Sequence, residues 1–220
     1  MIAIIDYGMG NLGSVAKALK ALGADITVTQ SSRGLDKADK IVLPGVGSFG
    51  YCMRSLRKLK LIPALKRNIE SGKSYLGLCL GMQILFEESK EGGNIKGLGI
   101  LKGRVKKFNF TRSTQYAVRS TLKVPHMGWN QIKKSQSHND TKTQEKNMCP
   151  LLTNIPEGTW MYFVHSYYVE PRDKDVIAAT TDYGIDFCSM VWKDNIYATQ
   201  FHPEKSQAFG MKMLENFAAL

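Results

Sequence analysis

The sequence predicts an α/β fold with a central, mostly parallel sheet flanked by helices and with additional strands in its second half. In the first half, short apolar runs suited to strands alternate with segments of helical periodicity, an order that favours parallel strands covered by helices on both faces. After Gly92 and Gly93 the pattern changes to strands and turns. Because 220 residues can bury a full core and no linker or repeat divides them, we expect one domain over residues 1–220.

Turn residues bound the elements of the first half. Asn11 or Ser14 can cap the first helix, and Gly23 ends it. Pro63 fits the first turn of the third helix, which ends at Gly72. The predicted order is strand 2–6, helix 14–22, strand 26–29, strand 40–43, helix 50–59 and helix 62–71.

A strand-to-helix turn follows at Cys79. Residues 74–78 form a short apolar run suited to a buried strand, and helical spacing follows through Ser89. Gly77 and Gly81 flank the cysteine, and a tight turn of this kind needs small residues there because backbone passes closely. The pattern predicts a nucleophile elbow that carries a cysteine, where the helix N-terminus favours the thiolate.

The second half is predicted to contain strands, a polar loop and a closing helix. Polar side chains dominate residues 133–147, which we expect to form an exposed, mobile loop. Residues 125–130 are predicted to form a polar and aromatic turn. The predicted strands are 104–110, 121–124, 161–169, 177–181, 187–192 and 196–201, and the closing helix covers 210–220.

A histidine and a carboxylate lie where the last predicted strand ends. Pro203 keeps His202 out of the helical region, and Glu204 lies two positions beyond it, so both side chains point the same way in an extended segment. With Cys79 they provide a nucleophile, a base and a group that orients the imidazole. The N–H of Leu80, next to the cysteine, is free to donate to an oxyanion.

The net charge of +11 raises the question of nucleic-acid binding. The basic residues are spread along the chain, with small clusters at 54–60 and 102–107, and no aromatic residues interleave with them in a binding motif. We therefore expect no nucleic-acid partner. Most of the charge is interpreted as solvated surface, with a share available to an acidic partner or an anionic substrate.

Three other classes of function are disfavoured. No apolar stretch is long enough to cross a membrane, and the chain begins with a predicted strand rather than a signal peptide, so we expect a cytoplasmic protein without a membrane partner. The pattern Gly8-x-Gly10-x-x-Gly13 fits a dinucleotide fingerprint, but no acidic residue closes the next strand at the expected spacing. The scattered cysteines predict neither a disulfide framework nor a zinc site; they are Cys52, Cys79, Cys149 and Cys188.

Several motifs carry a resemblance to a known family. Gly77-Leu-Cys79-Leu-Gly81-Met-Gln83 with His202-Pro-Glu204 resembles the class I, or triad, glutamine amidotransferases, and the resemblance implies their fold. Further motifs narrow it to the glutaminase subunits of imidazole glycerol phosphate synthases. These motifs are Asp6-Tyr-Gly-Met-Gly-Asn11-Leu, Pro44-Gly-Val-Gly47-Ser-Phe-Gly50, Pro125-His-Met-Gly-Trp129-Asn130 and Tyr162-Phe-Val-His165-Ser-Tyr167.

The resemblance implies a role for each matching position. Cys79, His202 and Glu204 would be catalytic, and Val46 or Gly47 would supply the second oxyanion donor opposite Leu80. The residues that would hold glutamine are Gln83, Glu91, His165, Ser166 and Tyr167. The residues that would face a partner are Asn11, Trp129, Asn130, Tyr162 and Lys205.

The implied reaction is hydrolysis of glutamine to glutamate and ammonia, with no metal and no organic cofactor. The resemblance further implies a heterodimer with a (β/α)₈ cyclase subunit. That partner would use the ammonia to make imidazole glycerol phosphate and aminoimidazole carboxamide ribotide in histidine biosynthesis.

Two alternatives stay open at the level of sequence. A paralogous glutaminase that supplies ammonia for amidation of a surface sugar resembles this chain closely, and the lysine-rich stretch at 133–147 leaves room for it. A cysteine hydrolase or protease of related fold would need no ammonia-using partner. The motif His202-Pro-Glu204 together with Gln83 disfavours that second alternative.

Overall fold

The computed structural model describes residues 1–9, 11–110, 122–135 and 148–220. The strands are β1 (Ile2–Ile5), β2 (Ile26–Thr29), β3 (Lys40–Leu43), β4 (Ser74–Leu78), β5 (Glu88–Ser89), β6 (Ile95–Lys96), β7 (Gly103–Lys107), β8 (His126–Gln131), β9 (Lys133–Lys134), β10 (Trp160–His165), β11 (Tyr167–Pro171), β12 (Ile177–Asp182), β13 (Asp186–Lys193) and β14 (Ile196–Thr199). The α-helices are α1 (Leu12–Ala21), α2 (Ser32–Lys37), α3 (Phe49–Lys58), α4 (Leu61–Glu70), α5 (Leu80–Gln83) and α6 (Gln207–Ala219). Short 3₁₀ turns cover Pro150–Leu152 and Pro203–Lys205.

One mixed sheet organises the described residues, with the order β2-β1-β3-β4-β14-β13-β11-β7-β5-β6. The pairs from β2 to β14 are parallel, and those from β14 to β7 are antiparallel. Strand β12 pairs with β13 and with β9, while β8 and β10 form a separate antiparallel pair. The predicted α/β class, with a parallel first half and added strands in the second, is confirmed.

The core lies on both faces of the sheet because neighbouring strand residues point to opposite sides. Ile41 and Leu43 of β3 belong to the cluster under α3 and α4, whereas Val42 belongs to the cluster under α1 and α6. Each fully buried side chain of this size contributes about 1.5–3 kcal/mol relative to exposure. This packing holds the ends of β4 and β14 side by side, and the candidate site is built there.

The helix predicted from Leu80 to Ser89 is wrong beyond its first turn. Helix α5 ends at Gln83, and the next residues are buried one after another, so they have no exposed face that an amphipathic helix would need. Their backbone carbonyls accept from residues 97–101 instead; the Leu98 N–H donates to the Ile84 carbonyl at 2.7 Å.

The predicted strand 161–169 is two strands that break at Ser166. Strand β10 pairs with β8, whereas β11 crosses into the large sheet and pairs with β7. The predicted turn at 125–130 is instead strand β8. The usual alternation of apolar and polar residues in a strand is missing here, because the inward positions carry the polar residues His126 and Asn130.

Several other predicted elements differ from the structure in their bounds, and one helix was not predicted. The strand predicted at 104–110 ends at Lys107, and α6 begins three residues before the predicted start. Helix α2, capped by the Ser31 side chain, was not predicted. Residues 122–124 form no strand, while Thr121 lies outside the described residues. Of the predicted loop, Lys133 and Lys134 form β9, and residues 136–147 lie outside the described part of the chain, as does Gly10.

Candidate active site

The turn from β4 to α5 has the geometry expected of a nucleophile elbow. Cys79 occupies it with φ 52° and ψ −100°, a strained conformation for a residue other than glycine. A Cβ on Gly77 would lie 2.5 Å from the Gly81 carbonyl oxygen, and a Cβ on Gly81 would lie 2.1 Å from the Leu43 carbonyl oxygen. Both flanking glycines are therefore required by the close passage of backbone.

His202 and Glu204 form a buried pair beside the elbow. The His202 Nδ1–H donates to Glu204 Oε1 at 2.9 Å, and the two side chains are 2% and 1% exposed. This bond fixes the imidazole so that its other nitrogen, Nε2, is free; Nε2 is buried without a hydrogen-bond partner among the described residues. Burial alone would lower the pKa of His202, but the charges of Cys79 and Glu204 outweigh it and raise the pKa to about 10.

The sulfur of Cys79 is enclosed by groups from neighbouring strands. Gln200 Nε2 donates to the sulfur at 3.5 Å, and the Val164 carbonyl oxygen lies 3.9 Å from it. Burial raises the pKa values of Cys52, Cys149 and Cys188 to about 12, so these three thiols stay protonated at neutral pH. Cys79 differs from them in facing both His202 and a cavity.

The glycine-rich turn after β3 packs directly on the elbow. A Cβ on Gly45 would lie 2.4 Å from the Leu80 Cβ and 2.9 Å from the Gly81 nitrogen. The Val46 carbonyl accepts a long hydrogen bond of 3.4 Å from the Tyr7 hydroxyl, and Gly47 has φ +93°. Val46, Gly47 and Leu80, the predicted oxyanion residues, therefore lie together around Cys79, where all three line the same cavity.

A cavity of about 440 Å³ opens in front of Cys79. It brings together all the residues predicted to hold glutamine. Its lining consists of Gly45, Val46, Gly47, Cys79, Leu80, Gln83, Glu91, Pro125, Val164, His165, Ser166, Tyr167, His202 and Lys205.

Glu91 and Gln83 are fixed by bonds to the scaffold. One oxygen of the Glu91 carboxylate accepts from the Phe49 N–H at 2.7 Å, at the first residue of α3, and the half-buried side chain still reaches the cavity. Gln83 Nε2 donates to the Tyr167 carbonyl at 3.0 Å and to Gln200 Oε1 at 3.1 Å. Both amide hydrogens of Gln83 are thus used, and its oxygen is the group left for a ligand.

His165 belongs to a buried histidine pair that sequence reasoning missed. Its Nδ1–H donates to the Tyr167 carbonyl at 2.8 Å, and its Nε2 lies 3.0 Å from His126 Nδ1. Burial lowers the pKa of His165 to about 3 and that of His126 to about 4. Both rings are therefore neutral at pH 7 and act through hydrogen bonds rather than charge.

The residues predicted to face a partner fall into two groups. Trp129 of β8 and Tyr162 of β10 are directly opposite each other, with ring centroids 5.9 Å apart, and Lys205 Nζ lies 5.8 Å from the Tyr162 ring centroid. This group is on the surface, and Trp129 is 43% exposed. Asn11 and Asn130 instead turn inward: Asn11 Nδ2 donates to Glu204 Oε1 at 3.4 Å, and Asn130 Nδ2 donates to the Asp182 carbonyl at 2.9 Å.

Metal-binding and membrane-spanning features are both missing from the described residues. Within the ranges that the structure describes, no group of three His, Cys, Asp or Glu side chains is arranged to hold a metal ion. No helix in those ranges combines the length and apolar character needed to cross a membrane.

Comparison with known proteins gives relatives along the whole chain. A family model described as "Glutamine amidotransferase class-I" matches residues 3–220. The chain is 48% identical over 217 residues to "Imidazole glycerol phosphate synthase subunit HisH" of Syntrophotalea carbinolica, and the match covers 99% of this chain and 98% of the relative. A protein of the same name from Geobacter metallireducens is 46% identical over 217 residues, covering 99% and 97%.

Solved structures share the fold at lower identity. The chain matches a structure described as "Structure of PurLQS from Thermotoga maritima" with a TM-score of 0.70 and 18% identity, covering 98% of this chain and 96% of that one. A second structure, described as "Crystal structure of glutamine amidotransferase", matches with a TM-score of 0.71 and 15% identity over 100% of both chains. At these identities the likeness establishes the fold alone.

Proposed function

The chain belongs to the class I glutamine amidotransferase family, and we propose that it is the glutaminase subunit of an imidazole glycerol phosphate synthase, in histidine biosynthesis. The observation that carries the proposal is the assembly of Cys79, His202 and Glu204, from distant parts of the sequence, beside one cavity. The reaction proposed for this cavity is hydrolysis of the glutamine side-chain amide to glutamate and ammonia.

The buried pair activates the nucleophile. His202 takes the proton of Cys79 at Nε2, and the raised pKa of His202 means that the imidazole keeps this proton at neutral pH. The thiolate attacks the side-chain carbonyl carbon of glutamine, and the carbon–nitrogen bond then breaks while His202 protonates the leaving ammonia. Water attacks the resulting thioester with His202 as base, and glutamate leaves as the carbon–sulfur bond breaks.

Groups that could bind the oxyanion and the ammonium and N–H groups of glutamine line the same cavity. The Leu80 N–H and an N–H of the Val46–Gly47 turn stabilise the oxyanion, a contribution of about 10²–10³ in rate for each donor. The free oxygen of Glu91 accepts from the substrate ammonium, and Gln83 Oε1 accepts from a substrate N–H. His165, Ser166 and Tyr167 also line this cavity.

A partner subunit follows from the nature of the product. In water at neutral pH, free ammonia becomes mostly ammonium, which is not nucleophilic, so a second active site must receive the ammonia directly. The relatives are named as subunits of a synthase, which implies a partner for this chain too. The proposed partner is a (β/α)₈ cyclase that docks on the outer face of β8 and β10, where Trp129, Tyr162 and Lys205 lie together.

Cys79→Ser in the complex with the cyclase tests the function. We expect glutamine hydrolysis to be abolished, because serine does not provide an equally ready anion at the elbow, while synthesis from added ammonium salt at raised pH continues. Ammonia release from glutamine at the parent rate would overturn the assignment of the nucleophile.

Cys188→Ser is the matched control, since it makes the same change at a buried cysteine that does not line the cavity. This variant should hydrolyse glutamine at the parent rate. The partner assignment is tested separately, by whether the purified chain forms a stable heterodimer with the cyclase from its own organism.

A further inference from the structure

A continuous hydrogen-bond network runs from the nucleophile into the protein. Gln200 Nε2 donates to Cys79 Sγ at 3.5 Å, and Gln200 Oε1 accepts from Gln83 Nε2 at 3.1 Å. Gln83 Nε2 also donates to the Tyr167 carbonyl, which receives a second bond from His165 Nδ1. The side chains of Gln83, His165 and Gln200 are all buried, and Gln200 has no exposed surface.

The direction of each bond is fixed by the backbone. Because the Tyr167 carbonyl only accepts, the group of Gln83 that faces it must be the NH₂. The second hydrogen of that NH₂ then points at Gln200 and requires the Gln200 oxygen there. The NH₂ of Gln200 is left facing Cys79, so its orientation needs no assumption about an amide flip.

The histidine pair continues this hydrogen-bond network to strand β8, and its donors and acceptors can be assigned in the same way. With Nδ1–H of His165 committed to the Tyr167 carbonyl, its neutral Nε2 can only accept, so His126 Nδ1–H donates to it at 3.0 Å. His126 Nε2 in turn accepts from Asn130 Nδ2 at 3.3 Å, and Asn130 lies next to Trp129 in the strand. The network thus reaches from the sulfur to the strand that carries the proposed partner face.

We propose that Gln200 is a positioning residue whose N–H orients and stabilises the Cys79 thiolate, and that Gln83 and the histidine pair hold Gln200 in that orientation. The inference rests on the proposed function of Cys79. The Val164 carbonyl oxygen, 3.9 Å from the sulfur, repels a thiolate, and the N–H of Gln200 at 3.5 Å offsets that repulsion. A hydrogen bond to a charged group in a buried site is stronger than one in water.

Gln200→Met tests the proposal, because methionine keeps the length of the side chain and removes its donor. The measurement is the rate of Cys79 alkylation by iodoacetamide as a function of pH, which reports the thiolate without requiring glutamine. We expect the acid limb of the profile to move up by about one pH unit, with about a tenfold loss of glutaminase kcat in the complex. His202 and Tyr7 are titratable groups whose pKa values Cys79 influences, and neither residue is changed in this variant.

Gln200→Glu provides a second variant of nearly the same shape. It retains an oxygen for Gln83 but replaces the N–H by a carboxylate oxygen, so the acid limb should move up at least as far. Gln30→Met is the matched control, because Gln30 is an exposed glutamine after β2, outside the β8–β10 pair, whose side chain donates to Asp6 Oδ2; its profile should match the parent. The alkylation background from the other cysteines is measured in Cys79→Ser.

An unchanged acid limb in folded Gln200→Met and Gln200→Glu would overturn the inference, even if turnover fell, because it would leave Gln200 with a structural role alone. If Gln200→Met fails to fold, as judged by thermal unfolding, the Gln200→Glu profile decides by the same criterion. Failure of the proposed function would appear differently, as glutamine hydrolysis by Cys79→Ser.

Discussion

The elbow around Cys79 and the outer face of the β8–β10 pair differ in burial. The elbow is enclosed by polar side chains of the chain itself, whereas the outer face is open to solvent. At the elbow, His202, Glu204 and Gln200 are buried and bonded to one another or to the nucleophile. On the outer face of β8 and β10, large apolar side chains are left in contact with solvent. They are Met127 at 62%, Trp129 at 43% and Trp160 at 54% exposed.

From this contrast we infer that the catalytic groups lie at the elbow and that a partner regulates them from the outer face of β8 and β10. A contiguous exposed apolar face indicates a docking surface, whereas a buried polar network indicates a preorganised site. The same two strands serve both, because their inner face carries His126, Phe163 and His165 toward the site. Docking on the outer face would therefore act on strands that also form the wall of the cavity.

The largest effect should come from breaking the buried pair. Glu204→Gln removes the charge that orients His202 and helps to raise its pKa, so kcat for glutamine should fall by about 10³–10⁴. Steady-state glutaminase assays of the complex measure it. Glu170→Gln is the matched control, since its exposed ion pairs with Arg104 and Lys106 should leave activity unchanged. A Glu204→Gln complex with more than about a tenth of parental kcat would contradict this part of the account.

A smaller loss should follow from moving the oxyanion turn. Gly45→Ala places a Cβ 2.4 Å from the Leu80 Cβ, so the turn must shift away from the elbow and kcat should fall by about 10². Gly13→Ala makes the same change in α1, where no described atom beyond the neighbouring backbone lies within 4 Å of the new Cβ, and should keep full activity. Equal kcat values for the two variants would show that the turn does not hold the oxyanion.

Truncating a side chain on the outer face of the β8–β10 pair should affect partner binding, whereas truncating one on the inner face should affect folding stability. Trp129→Ala should weaken association with the cyclase by at least about 1–2 kcal/mol and leave the melting temperature of the isolated chain unchanged. Phe163→Ala, on the inner face, should cost about 3–5 kcal/mol of folding stability. Calorimetric titration and thermal unfolding measure the two effects, and a large drop in melting temperature for Trp129→Ala would instead place that side chain in the core.

The most gradual effect concerns acid stability, because it accumulates over several pH units. The folded-state pKa values of His126 and His165, about 4 and 3, lie below the usual value of about 6.5, so the unfolded state binds protons first as pH falls. Stability should be complete above pH ~6.5 and fall by about 1 kcal/mol per pH unit per histidine toward pH ~4. Urea unfolding at several pH values measures it. His126→Phe should flatten the slope, and parallel curves for variant and parent would contradict the assignment.

The elbow at Cys79 and the position of His202 could be predicted from the sequence because their local signals are strong. Two glycines around a cysteine and a proline after a histidine restrict the backbone whatever the rest of the chain does. The role of Gln200 was not predicted. Gln200 lies two positions before His202, so in an extended segment the two side chains point the same way, as those of His202 and Glu204 do. The role of Gln200 depends on Gln83 and Tyr167, whose approach only the tertiary structure shows.

The break at Ser166 could not be predicted for a related reason. An apolar run indicates that a strand is buried, but it does not say which neighbour the strand pairs with. The early end of α5 could not be predicted for the same reason. Consecutive buried residues fit a helix or an extended chain equally well, and the choice depends on their backbone partners at residues 97–101.

We infer that this chain carries all the catalytic groups and that the proposed docking face of β8 and β10 regulates them. The most direct measurement is glutaminase turnover by the purified chain, alone and with the cyclase partner and its substrate. We expect the chain alone to be nearly inactive and turnover to rise steeply in the complex, mostly in kcat, because a transition-state interaction at the Val46–Gly47 turn is gained. Full turnover by the purified chain alone would contradict the claim, and a rise confined to KM would place the control in the glutamine pocket instead.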